Sequence, residues 1–215
     1  MKKIKLVSIW NPKGGQGKSL LAINLAAAAV ALGLKPMVIC QDQQGTSMLY
    51  YKSGNLPFEV VGDVPKEKPD ADIVFIDHQA SDWKVPKTKI LVMPLKPARD
   101  QFATYVDAKK RAEKHVEGGK SIEHDIITVV TDGQEHRADE RVTTRALKEL
   151  GGFVIPSSGV FSRAASGYRT IYDLNLDKAY KVGERRREIV QILRRICLKD
   201  SEKTQQMEVR EHAAG

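Results

Sequence analysis

The sequence has little of what secreted or metal-clustered chains are built on. Two of its 215 residues are cysteine, Cys40 and Cys197, and neither falls in a CxxC or metal-ligand spacing. A disulfide framework is therefore not expected, and a reducing cytoplasm is the simpler setting. Long hydrophobic runs are lacking. The longest, Leu20 to Leu34, is alanine-rich, is interrupted by Asn24, and falls short of the roughly 18–20 residues that cross a bilayer. Met1-Lys2-Lys3 opens like a signal peptide, but Asn11-Pro12-Lys13 breaks the short apolar run that follows, so no targeting segment is expected. Internal repeats and low-complexity tracts are not visible. Acidic residues are in the minority: 27 Asp and Glu face 35 Lys and Arg, a formal charge of +8. That excess suits nucleic acid, an anionic membrane surface or a phosphorylated ligand, and equally a solvated lysine-rich surface. What is present, 41% hydrophobic and 29% charged residues, fits one soluble globular domain over residues 1–199 with a polar tail over 200–215 that is expected to be disordered.

Short apolar, partly β-branched stretches read as buried strands at Ile4–Trp10, Pro36–Cys40, Ile73–Ile76, Ile90–Met93, Ile126–Val130 and Phe153–Ile155. Between them, Lys18–Leu32, Asp100–Glu117 and Arg137–Leu150 read as helices, followed by Ala164–Leu174 and Glu184–Leu198. Gln41 to Asp70 is polar and rich in Gly and Pro, and reads as loops with one short helix around Ser47 to Lys52. This alternation predicts an α/β fold: a mostly parallel sheet with helices on both faces, and a ligand at the carboxyl ends of the strands.

The sharpest signal lies after the first strand, in Asn11-Pro12-Lys13-Gly14-Gly15-Gln16-Gly17-Lys18-Ser19-Leu20. A glycine-rich turn between a strand and a helix lets backbone N–H groups converge on phosphate oxygens. The helix starting near Lys18 points its positive end there. Lys18 supplies a charge to the β- and γ-phosphates, and the Ser19 hydroxyl is a hard ligand suited to Mg²⁺. The P-loop NTPase fold is the expectation. The segment departs from GxxxxGK[ST], because Pro12 stands where the first glycine belongs and Lys13 precedes the glycine pair.

In that departure NPKGGQGKS resembles the deviant phosphate loop, KGGxGK[ST], of the ParA/MinD ATPases. Among these the chain is most similar to the small ParA-type plasmid and chromosome partition ATPases. The resemblance implies ATP and Mg²⁺ as ligands, slow hydrolysis and an ATP-dependent homodimer. In that dimer Lys13 would reach the phosphates of the other subunit and offset charge developing in phosphoryl transfer. It also implies a cytoplasmic, nucleoid-associated protein that binds nonspecific DNA and acts with a centromere-binding ParB-like partner.

Two carboxylates follow strands. The family's Asp-x-Asp-Pro-Gln corresponds here to Cys40-Gln41-Asp42-Gln43-Gln44. Asp42 is retained, and the resemblance gives it a part in positioning or activating the attacking water. Ile73-Val74-Phe75-Ile76-Asp77 has the Walker B pattern, with Asp77 beside the metal opposite Ser19. The expected catalytic set is thus Lys13, Lys18 and Asp42, and the metal set Ser19 and Asp77. The nucleotide contacts are Lys13 to Leu20, Asp77, and Thr131 and Pro156 beside the adenine. His78 reads as a solvent-facing loop residue, and Asp100, in the segment Met93-Pro94-Leu95-Lys96-Pro97-Ala98-Arg99-Asp100, as the cap of the following helix.

Near the C-terminus, Arg185, Arg186, Arg187, Arg194 and Arg195 lie on a helix whose other face is apolar. The apolar face is expected to pack on the sheet and the basic face to bind DNA phosphates, with Arg163 and Arg169 extending it. Two alternatives stand beside this: a MinD-like membrane-associated positioning ATPase, disfavoured by the polar tail, and a nucleotide switch with weak or no hydrolysis. Stable membrane insertion is not expected.

Overall fold

The structure, a computed structural model, describes residues 3–42, 45–134 and 136–213, and of 199–213 the backbone alone. Seven strands form one sheet, parallel throughout: β1 (Lys5–Ile9), β2 (Pro36–Cys40), β3 (Glu59–Val61), β4 (Ile73–Asp77), β5 (Ile90–Leu95), β8 (Asp125–Gly133) and β9 (Phe153–Pro156). Their order is β3-β2-β4-β1-β5-β8-β9. β1 therefore sits mid-sheet, where the chain turns from building one half to building the other, and a ligand site forms at such a switch point. Pairing brings Ile9 opposite Asp77 and Cys40 opposite Asp77, so β1, β2 and β4 end level at one edge.

Helices cover both faces. On one, α1 (Lys18–Ala31) packs on the sheet beside α6 (Val182–Ala213), which lies against β9. Its run Ala26 to Ala29 is almost wholly buried, and the small side chains let Ile189, Ile192, Leu193 and Ile196 of α6 approach closely. On the other face, α3 (Arg99–Glu113) and α4 (Ala138–Glu149) bury Tyr105, Ala108, Ala112 and Leu147 against Trp10, Leu91, Met93 and Leu95. The remaining helices are short: α2 (Thr46–Lys52) and α5 (Gly159–Ser166).

The seventh strand, β3, lies inside the stretch read as loops. It is a three-residue edge strand that exists through pairing with β2. The helix expected to run to Glu117 ends at Glu113, and β6 (Val116–Glu117) and β7 (Lys120–Ser121) form a hairpin. Gly118 and Gly119, expected as a plain helix stop, take φ of 56° and 76°, the left-handed pair that a two-residue hairpin turn needs. The helix expected at Ala164–Leu174 is displaced: α5 ends at Ser166, and a 3₁₀ turn at Leu174–Leu176 follows. Asp100 does not cap α3. The N-cap is Ala98, and Asp100 sits in the first turn, where a negative charge faces the positive helix end. Beyond Leu198 the backbone of α6 runs on as helix to Ala213. The side chains of the expected polar tail, and of Gln43 and Gln44, lie outside the described residues.

Candidate nucleotide site

The loop between β1 and α1 is held rigid from below. Asn11, fully buried, donates from Nδ2 to the Pro94 carbonyl (2.8 Å) and accepts the Lys13 backbone N–H at Oδ1 (2.9 Å). Gln16, 1% exposed, accepts the Lys96 N–H (2.8 Å) and donates to the Gly14 carbonyl (3.0 Å) and to Gln101 Oε1. The Thr131 hydroxyl donates to the Gln16 carbonyl (3.0 Å). Gly15 and Gly17 take φ of 74° and 80°, a conformation that a side chain would strain. The loop is thus pinned by β5, α3 and β8 while Gly14 and Gly15 stay exposed.

Lys18 lies under this loop, 7% exposed, with Nζ donating to the Lys13 carbonyl (3.2 Å). Burial pushes its pKa down, and the charges of Asp77 and Asp42 oppose the shift. Asp77 at the end of β4 is wholly buried. Burial pushes its carboxyl up, against hydrogen bonding from the hydroxyls of Ser47 and Ser19. Ser47 Oγ donates to Asp77 Oδ2 at 2.6 Å, while Oδ1 has no hydrogen-bond partner among the described residues. The structure therefore brings Lys18, Ser19, Asp42 and Asp77 close together. Cys40 is buried beside them; burial raises its thiol pKa, and its Sγ lies 3.8 Å from the Asp42 carbonyl.

Lys13 points the other way. Its side chain is 41% exposed, and its single ion pair among the described residues is a long one, 3.9 Å to Asp100 Oδ2. Beside the loop opens a cleft of about 440 Å³, lined by Gly15, Gly17, Leu20, Lys96, Thr131, Asp132, Pro156 and Phe161 among others. Thr131 and Pro156, expected beside the adenine, line this cleft, and a Lys96–Asp132 ion pair (3.2 Å) stands at it.

Sequence reasoning missed Ser47, because only folding brings α2 against β4. It also misplaced His78. That ring is not solvent-facing: Nε2 is 2.9 Å from Ser8 Oγ, and burial lowers its pKa to about 4.

The expected basic face is only partly assembled. Arg185 is buried and pairs with Glu188 (3.0 Å) and Glu184 (3.2 Å). Arg186 donates to the Ile171 carbonyl (2.8 Å) and Asp177 (2.7 Å), Arg169 pairs with Asp173 (3.1 Å), and Arg195 grips Asp125 through both terminal nitrogens (2.9 and 2.8 Å). Arg195 thus ties α6 to β8 and Arg186 ties it to the loop before it, while Arg169 and Arg185 form their ion pairs within their own segments. Arg163, Arg187 and Arg194 are exposed.

No protein-family model and no curated protein matches the chain. Solved structures do. A putative plasmid partition protein from Borrelia burgdorferi B31, bound to AMPPNP, is 16% identical with a TM-score of 0.66, over 92% of this chain and 100% of that one. An ATP complex of a Cyanothece McdA variant is 12% identical (TM-score 0.63; 92% and 97% covered). The septum site-determining protein MinD from Pyrococcus horikoshii, complexed with Mg-ADP, is 14% identical (TM-score 0.63; 87% and 94% covered). At these identities the likeness is one of fold. With its seven parallel strands and a phosphate-type loop after β1, the chain has the P-loop fold that these ParA- and MinD-type structures share.

Proposed function

We propose that this protein is a ParA-type ATPase that binds ATP with Mg²⁺ and hydrolyses it slowly. The observation that carries the reading is the burial of Lys18 under a glycine loop beside two carboxylates, Asp42 and Asp77. A buried ammonium there is matched to a polyanion whose oxygens the loop N–H groups also meet. The residues fit a divalent cation as well. The Ser19 hydroxyl and the Asp77 carboxylate, with Oδ1 unpartnered and buried, would hold Mg²⁺ at the phosphates. When bound, that ion would neutralise phosphate charge and act as a Lewis acid.

In this reading Lys18 holds the β- and γ-phosphates and Asp42 orients the attacking water. Thr131 and Pro156 border the adenine. Lys13, exposed and loosely paired, extends to the nucleotide of a second copy, so that ATP draws two chains together and hydrolysis releases them. Arg163, Arg187 and Arg194 offer cations for nonspecific duplex DNA. A centromere-binding ParB-like protein would stimulate turnover and couple it to DNA segregation.

The test is ATP turnover by the purified protein, with and without nonspecific duplex DNA, beside Lys13→Ala. Slow, DNA-sensitive turnover that Lys13→Ala abolishes, with ATP-dependent and salt-sensitive DNA binding, is expected. Absence of turnover and of ATP-dependent DNA binding under every condition would rule the reading out.

A further inference from the structure

A second concentration of positive charge lies apart from the C-terminal arginines. Residues 82–89 and 109–124 carry eight Lys and Arg against four Asp and Glu, so 24 residues hold half of the formal excess of +8. The fold brings these two segments together beside the N-terminal end of β5, along a loop that starts next to the phosphate loop, where the Ser81 N–H donates to the Pro12 carbonyl. There they meet as the loop before β5, the last turn of α3 and the β6–β7 hairpin. Lys87 pairs with Glu117 of the hairpin, and the charges of Lys84 and His115 also act on that carboxylate. Lys120 lies opposite Glu117 in the hairpin register. His124 Nδ1 meets the Thr88 carbonyl at 2.9 Å, and its Nε2 meets His115 Nδ1 at 2.8 Å, tying all three segments. Lys84, Lys114 and Lys120 make no ion pair among the described residues.

Within this cluster stands an aromatic ring. Trp83 is 40% exposed, and the Arg111 guanidinium lies 4.8 Å from its ring centroid. The ring has no place in the core. Trp10, by contrast, is fully buried and donates to the Asp82 carbonyl, which fixes the loop beneath Trp83.

We infer that this surface binds single-stranded nucleic acid, with Trp83 and Arg111 as a stacking platform and Lys84, Lys87, Lys114 and Lys120 following the phosphates. A duplex buries its base faces, so an exposed ring backed by a guanidinium gains little there. Unpaired bases stack on such a ring irrespective of sequence, and neighbouring lysines add the salt-dependent part. The inference needs no nucleotide and stands apart from the ATPase reading.

The chain's two tryptophans make the test direct, because only Trp83 is accessible. Labelled oligothymidine, oligouridine and a duplex of equal length are titrated into the full chain without nucleotide, following anisotropy and tryptophan fluorescence. Expected are salt-sensitive binding of at least one single strand, tighter than the duplex, and quenching of Trp83. Trp83→Ala should weaken binding by about tenfold. Trp83→Phe, which keeps a ring, should retain most of the affinity while losing the quench. Lys84→Glu with Lys114→Glu should flatten the salt dependence, and circular dichroism checks that each variant is folded. Which strand binds tighter separates a DNA from an RNA ligand. Failure to quench, preference for duplex, or binding lost in Arg187→Glu with Arg194→Glu but kept in Trp83→Ala would each overturn the inference.

Discussion

Replacing Ser47 by alanine removes one hydroxyl and almost no volume, so its effect isolates a single hydrogen bond. That bond, 2.6 Å to Asp77 Oδ2, joins two wholly buried groups. A hydrogen bond to a charged group is worth about 1.5–3 kcal/mol, and no water can replace it here, so a loss of about 2 kcal/mol is expected for the nucleotide-free protein. The assay is urea unfolding at neutral pH, with the midpoint falling at unchanged slope. Combined with Asp77→Asn in a double-mutant cycle, most of the loss should appear as coupling between the two positions. The pH dependence has a definite sign. Burial sets the Asp77 pKa above 3.8, so this group's contribution to stability declines as pH rises through its folded-state value. The Ser47 hydroxyl opposes that shift, so Ser47→Ala raises the folded value further. The deficit of the variant should therefore be larger above the folded-state value than below it, where the carboxyl is protonated in both proteins. A change below about 0.5 kcal/mol at neutral pH, or a deficit that grows on acidification, would refute the argument.

Lys13→Ala should abolish turnover yet leave urea stability within about 0.5 kcal/mol, since the side chain is partly solvated and its pairing to Asp100 is long. Arg195→Ala should destabilise the fold by about 2–3 kcal/mol in thermal unfolding, because Asp125, 9% exposed, loses its bidentate partner. Burial lowers His78 from 6.5 to about 4, so its neutral form is favoured in the fold. Stability tied to it is present above pH 6.5 and is lost as pH falls toward 4, by up to about 3 kcal/mol. His78→Gln should show a shallower acid limb in stability measured against pH.

The cluster at Lys18 was legible because its chemistry is local. Three glycines, a lysine and a serine between a strand and a helix specify a turn whatever the rest of the chain does. An apolar run ending in Asp77 specifies a carboxylate at a strand end. Continuous apolar strands likewise announced six of the seven parallel strands. The failures share a cause. Ser47 and Asp77 are 30 residues apart, His78 and Ser8 are 70, and Arg195 and Asp125 are 70. Nothing near any of them signals the partner.

By itself, then, the sequence determined the sheet, the phosphate loop and the two acidic strand ends, because turn geometry, hydrophobic period and helix polarity act within a few residues. The tertiary structure alone decided the rest. It turned Arg186 and Arg195 inward as ties for α6, drew Ser47 onto Asp77, and gathered Trp83 and Arg111 with the lysines of a loop and a hairpin. Those outcomes follow from which strands lie side by side, and that order, β1 between β4 and β5, is fixed by packing of the whole chain rather than by any segment of it.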